Sequence, residues 1–401
     1  MNELSSLGLI LLLALGAGHL VKYAKIPEVT GYILAGVVLG PSMLGWVTMR
    51  NLAALEILSE VALGLILFSV GTVFEAARFR RVGRQVLLLT LYESVLAAVL
   101  VTAGMLALGV EWRAALLLGA IAIATAPAST LMVIREVDSE GPLTDSLLAI
   151  IALNNIYCII AFSLVGTVID LSSGLGGSAG LLGTLYAALY PLVWQLVGSV
   201  ALGFLVGLLL ARWAAMIKET GETLILLGGS ILFCVGVARL LELSPLIASM
   251  AVGATMENLS QRSQPLVETL SEADPPFYAI FFVLAGAELD LSLVGSLGLA
   301  GVVYLVGRAV GKFLGARVGA RRLGMAPVVR RYLGLTLLAQ AGLAVGLTIQ
   351  AEHRFPDIAP AVVAIVLASV AIYEMFGPIS TRWALVHSGE ARRQLPEELV
   401  I

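Results

Sequence analysis

Thr125-Ala126-Pro127-Ala128-Ser129-Thr130 stands in the middle of an apolar run, 113–134, that is otherwise long enough to be one membrane-crossing helix. Proline there removes a backbone donor, and the hydroxyls on either side can satisfy carbonyls left without a partner. A simple lipid-facing helix has no use for such an interruption. A second break, Gln340-Ala341-Gly342, lies near the middle of another apolar run, 333–351. Two broken helices at corresponding places in a chain are the sequence mark of a carrier whose binding site lies at the membrane midplane. The bland alternative is a proline kink in one helix and Gln340 as interhelical glue in the other; the pairing of the two breaks favours the site.

Working outward, the chain is 59% hydrophobic and 13% charged, with a mean hydropathy of +0.99, so most of its surface must face lipid. Lipid offers no partner to open backbone groups, which favours helices of roughly 17–25 residues. Apolar runs predict thirteen of them, near 6–22, 29–45, 54–75, 86–108, 113–134, 145–169, 184–211, 222–239, 244–258, 275–290, 295–316, 333–351 and 358–381. Glu3 occupies what would be the basic region of a secretory signal, so the first run reads as a helix. Of the 24 Lys and Arg, this count puts 18 on one side of the membrane and 4 on the other (Arg50, Arg113, Arg239 and Arg354), with Arg308 and Lys312 inside a span. The positive-inside rule then predicts an external amino terminus and a cytoplasmic carboxyl terminus. If helices 1–6 and 8–13 are repeats of opposite topology, the fifth and twelfth spans, which carry the breaks, are equivalents.

Polar residues at membrane depth are few: Glu93, Asn154, Asn155, Arg308, Lys312 and Glu374, besides Thr125, Ser129, Thr130 and Gln340 at the breaks. Ionisable groups are expensive there and are functional candidates by default. Arg308 and Lys312, four residues apart, share one helical face. Lys312 could instead snorkel to the interface, and a purely structural salt bridge from Arg308 to Glu93 or Glu374 is the competing reading of all three. His19 reads as a hydrogen-bonded structural histidine, and Cys158 and Cys234 as small buried hydrophobes. No Cys, His and carboxylate cluster has metal-ligand spacing. With no nucleophile–base constellation and no phosphate-binding loop, no catalytic residue, cofactor or enzyme activity is assigned, and no basic patch points to nucleic acid.

The run Ile26-Pro27-Glu28-Val29-Thr30-Gly31-Tyr32-Ile33-Leu34-Ala35-Gly36, followed by Leu39-Gly40-Pro41-Ser42, resembles the second helix of the monovalent cation/proton antiporters. Phe281-Phe282 with Gly286, Gly307-Arg308-Ala309-Val310-Gly311-Lys312 and Tyr373-Glu374-Met375-Phe376-Gly377-Pro378 extend the resemblance over the whole chain, most closely to the Kef-like and bacterial sodium/proton exchanger branch. It implies an all-α membrane protein with inverted repeats and crossed broken helices. It further implies a homodimer in the inner membrane, and exchange of sodium or potassium for protons by an elevator-like cycle. The core domain would be 86–169 and 295–381, the dimerisation or scaffold domain 1–85 and 184–258, and the cytoplasmic segments 212–221 and 382–401.

In the family a pair such as Asn-Asp or Asp-Asp binds cation and proton in turn, and here that pair is Asn154-Asn155. An amide exchanges no proton near neutral pH and offers no full negative charge. Three readings follow. Another acid, Glu93 or next Glu374, carries the exchange; a different solute is moved, such as an anion held by Arg308 and half-helix amino ends; or the pair is a neutralised form of a carboxylate-bearing one. A channel, or a sensor that kept the fold and lost transport, is the competing class of function. The expected ion site comprises Asn154, Asn155, Thr125, Ser129, Thr130 and Gln340, with Arg308, Lys312, Glu93 and Glu374 as charge compensation or proton carriers.

Overall fold

The computed structural model describes residues 3–72, 74, 76–172, 180–217, 220–260, 263–292 and 298–392, with the helix backbone alone at 76–82, 180–189, 220, 263–269 and 271–274. The described residues form fifteen helices: α1 (Glu3–Tyr23), α2 (Glu28–Leu39), α3 (Met49–Gly71), α4 (Ala76–Ala107), α5 (Trp112–Ile121), α6 (Pro127–Glu136), α7 (Pro142–Ser172), α8 (Gly180–Ala214), α9 (Thr220–Leu240), α10 (Pro245–Leu259), α11 (Ser263–Ala287), α12 (Gly298–Arg322), α13 (Pro327–Thr336), α14 (Gly342–Arg354) and α15 (Ala359–Ser388). Eight of these (α1, α3, α4, α7, α8, α9, α12 and α15) are long and apolar enough to span a membrane unaided. Counting α5 with α6 and α13 with α14 as two interrupted spans gives the thirteen that the apolar runs predict. Several helices outrun those boundaries: α4 starts ten residues before 86 and α11 starts twelve before 275, because charged residues end an apolar run without ending a helix. The beginning of the predicted 295–316 span and parts of the two cytoplasmic segments (218–219 and 393–401) lie outside the described residues.

Packing repeats itself with the halves exchanged. α2 lies against α11 as α10 lies against α3, and α4 lies along its own equivalent, α12. Each crossing is close enough to demand glycine. A Cβ at Gly36 would collide with the Val283 carbonyl and one at Gly286 with the Ile33 carbonyl; on the equivalent pair, Gly253 meets the Phe68 carbonyl and Gly71 that of Met250. Along α12, Gly311 and Gly315 let α4 approach until an added Cβ would lie 2.5 Å from the Cα atoms of Ala97 and Glu93 respectively. That approach fixes the register of Glu93 against Lys312.

One group of mutually packed helices holds α4–α7 and α12–α15, and another holds α1–α3 and α9–α11, with α8 packed on α10 and α9. The groups meet where α2 touches α6 and α15, where α3 touches α6, and where α7 touches α8. Each group has an apolar core of its own, and a third core, in which Val29, Ile33 and Val283 pack with Leu131, Leu147 and Leu333, joins the two. Leu117, Leu118 and Ile121 pack with Phe162, Leu347 and Val366 in the first group, and Phe68, Leu210 and Ile231 with Val252 and Met256 in the second.

Candidate functional site

Between Ile121 and Pro127, and again between Thr336 and Gly342, the backbone leaves the helix. Pro127 is the first residue of α6, where its missing N–H costs nothing, and Ala341 lies outside the helical region at φ −147°, ψ −141° just before Gly342 opens α14. The two breaks cross and touch: the Ala126 N–H donates to the Ala339 carbonyl at 3.0 Å. Each break leaves carbonyls at the end of one half-helix, the negative end of its dipole, among the buried residues Ala122, Ala124 and Ala339.

Arg308 answers that need. Its guanidinium donates from Nε to Ala122 O (3.0 Å), from Nη1 to Leu338 O (2.6 Å), and from Nη2 to Ala124 O (2.6 Å) and Ala339 O (3.3 Å). One fully buried side chain thus ties both breaks together. The Tyr373 ring lies beneath it at 4.3 Å, and the Tyr373 hydroxyl donates to Leu305 O at 2.5 Å. Among the described residues no carboxylate stands within ion-pair distance of Arg308.

Lys312, one turn further on, is also fully buried. Its ammonium donates to Ile123 O (2.5 Å) and Thr125 Oγ1 (3.0 Å) and pairs with Glu93 Oε2 at 2.8 Å. Glu93 Oε1 accepts from Asn154 Nδ2 and from Ser94 Oγ. A chain of contacts therefore runs from the first break through Lys312 and Glu93 to the asparagine pair on α7. Gln340 donates from Nε2 to Ile121 O (3.1 Å) and to the Tyr304 hydroxyl (3.0 Å), joining the second break to the end of α5.

Several buried oxygens near this crossing have no hydrogen-bond partner: Ser129 Oγ, Asn154 Oδ1, Asn155 Oδ1, Gln340 Oε1 and Glu374 Oε2. Unmet acceptors at this depth are what a cation, or a proton on the carboxyl, can satisfy. Thr130 is different, because its hydroxyl donates to Ala126 O one turn back. Glu374 sits on α15 between Tyr373, which lies under Arg308, and Gly377, whose Cα packs against Ala339, but it does not join the Lys312–Glu93 pair. His19 is exposed, with Nδ1 against Leu15 O at 2.9 Å. Tyr304 and Ser94 are members of this network that the sequence did not single out; the signal for Tyr304 was an aromatic four residues before Arg308 on the same face.

Inverted repeats, two crossed breaks and buried basic side chains neutralising their carbonyl ends define a multi-pass secondary carrier. Residues 8–387 match the family described as "Sodium/hydrogen exchanger, transmembrane", and the chain belongs to that family. It is similar to the ammonium/H(+) antiporter subunit AmhT of Alkalihalophilus pseudofirmus, at 24% identity over 84% of this chain and 83% of that one. The glutathione-regulated potassium-efflux system protein KefC of Klebsiella pneumoniae is 25% identical over 91% of this chain. The iron transporter MagA of Paramagnetospirillum magneticum is 34% identical over 35% of it. The matched regions span 58% of KefC and 31% of MagA. The fold is that of the sodium proton antiporter MjNhaP1 from Methanocaldococcus jannaschii, with a TM-score of 0.74 at 17% identity over 98% of this chain and 99% of that one.

Proposed function

We propose that this chain exchanges a monovalent cation for protons across a cytoplasmic membrane, with its amino terminus outside and its carboxyl terminus inside. The observation that carries the reading is the buried Lys312–Glu93 pair, bonded on one side to the first break and on the other to Asn154. It supplies the carboxylate that the Asn154-Asn155 pair lacks. A cation held by Asn155 Oδ1 and Ser129 Oγ beside Glu93 competes with the Lys312 ammonium for that carboxylate. When the cation wins, Lys312 releases one proton to water and the pocket's net charge is unchanged; reprotonation of Lys312 expels the cation. The names of two relatives, an ammonium/H(+) antiporter subunit and a potassium-efflux protein, favour a monovalent cation as the cargo. Arg308 has its donors committed to four carbonyls, which weakens the reading in which it holds an anion.

The two helix groups support an elevator-type cycle in which α4–α7 and α12–α15 move as the core against α1–α3 and α8–α11, the latter carrying the homodimer contact. Proteoliposomes with a lumenal pH dye test the function. This chain exchanges protons on addition of sodium, potassium, lithium or ammonium gradients, and Glu93→Gln does not. Asn155→Asp adds a carboxylate and lowers the cation concentration giving half-maximal exchange. Exchange seen only in Asn155→Asp would mean that the asparagine pair has switched the site off.

A further inference from the structure

At the strongly basic end of the bundle the two helix groups are joined by a contact that the ion site does not use. Glu136, the last residue of α6 and beyond the apolar run, reaches across to α2, where its Oε2 accepts the backbone N–H of Glu28 at 3.0 Å. Glu28 opens α2, so this oxygen accepts one of the first-turn N–H groups that have no partner within the helix. The elbow before it, Ala24 to Pro27, carries Lys25 in the left-handed conformation at φ 55°, and Arg382 of α15 donates to the Lys25 carbonyl. Two core helices therefore grip one elbow of the opposite group. Glu136 Oε1 is buried without a hydrogen-bond partner.

We propose that Glu136 is a proton-sensitive latch, holding the core helices against the α1–α2 elbow when protonated and letting them part when ionised. This rests on the reading that α6 and α15 move relative to α2. Burial pushes the Glu136 carboxyl up to about 7, and the carboxylate of Glu28 adds to the rise, whereas the Glu28 N–H, Arg382 and Lys22 oppose it. The other charged and titratable groups around it are Tyr32, bonded to Glu28 at 3.0 Å, Lys25 on the elbow, and its neighbour Arg135. Asp138, Glu140 and Asp145 lie at the turn into α7, and His387 on α15; α3 carries no titratable side chain from Val61 to Gly71.

The sign follows from linkage. A carboxyl at about 7 when packed, and at its ordinary 4.5 once parted and hydrated, binds its proton more tightly in the packed state. Packing is therefore favoured by acid and is lost as pH rises through 7. Between pH 6 and pH 8 these two values shift the packed–parted equilibrium about tenfold toward the parted form.

Hydrogen exchange of the 24–32 segment in the whole protein, corrected for the intrinsic pH dependence of amide exchange, tests the latch without relying on transport. Protection of the first amides of α2 should fall about tenfold from pH 6 to pH 8 in the native chain. It should stay flat in Glu136→Gln, which still accepts the Glu28 N–H but cannot ionise. Arg382→Gln removes an opposing positive charge and should move the midpoint to higher pH. Protection that is independent of pH in the native chain, or that falls equally in Glu136→Gln, overturns the proposal. Absence of ion-driven proton flux in proteoliposomes separately counts against the carrier reading.

Discussion

Removing the carboxylate from the Glu93–Lys312 pair is the sharpest test of how this interior is balanced. Both side chains are fully buried and their charges lie 2.8 Å apart, so solvent screening does not reduce the coupling. At an effective dielectric constant of about 20 that separation corresponds to roughly 6 kcal/mol of attraction. Desolvation offsets much of it, so the pair adds little net stability over an apolar pair of the same shape. Breaking it is another matter. Glu93→Gln leaves the Lys312 ammonium buried among uncharged acceptors alone, Ile123 O, Thr125 Oγ1 and the new amide oxygen, and should cost about 3–5 kcal/mol. Adding Lys312→Met removes the stranded charge and should recover most of that loss. Equilibrium unfolding of the detergent-solubilised protein, run as a double-mutant cycle, reads both quantities. A Glu93→Gln protein within about 1 kcal/mol of the parent, or a double variant no more stable than Glu93→Gln, would refute the reasoning.

Arg308→Ala frees four carbonyls at the crossing and should lower stability by at least about 3 kcal/mol while abolishing proton exchange, whereas Arg308→Lys should be intermediate because a point charge cannot reach both breaks. Unfolding and flux measured on the same preparations check this, and an alanine variant that unfolds like the parent would count against the clamp. Just past the end of α6, Glu390 accepts from Leu143 N (2.7 Å), Thr144 N (2.8 Å) and Thr144 Oγ1 (2.8 Å), capping α7 with a residue that follows α15. Glu390→Ala should cost about 0.5–2 kcal/mol and speed amide exchange at 142–146, leaving exchange at 24–32 unchanged.

The breaks and the span count were legible because proline, glycine and the ends of apolar runs are local signals. What Arg308 and Lys312 do was not. Their spacing put them on one face of α12, but the sequence offered Glu93 and Glu374 as equal partners for either. The choice is made by Gly311 and Gly315, which bring α4 close enough to place Glu93 beside Lys312. Those glycines stood in the sequence, yet their meaning depends on which helix they admit, and that is tertiary information. Arg308 was harder still, since its partners are backbone carbonyls that any residue supplies. Glu136 and Glu390 fell outside every apolar run and carried no mark separating them from ordinary surface acids.

Because Arg308 serves both breaks, the two halves of the chain cannot be completed in order of synthesis. The carbonyl of Ala122 waits for a guanidinium 186 residues further along. Until α12 has been made and inserted, the first broken helix stands in the bilayer with its polar ends unanswered. Biogenesis must then shelter that segment, in water at the insertion machinery or against other helices, and the carrier's centre closes only when nearly the whole polypeptide is in place.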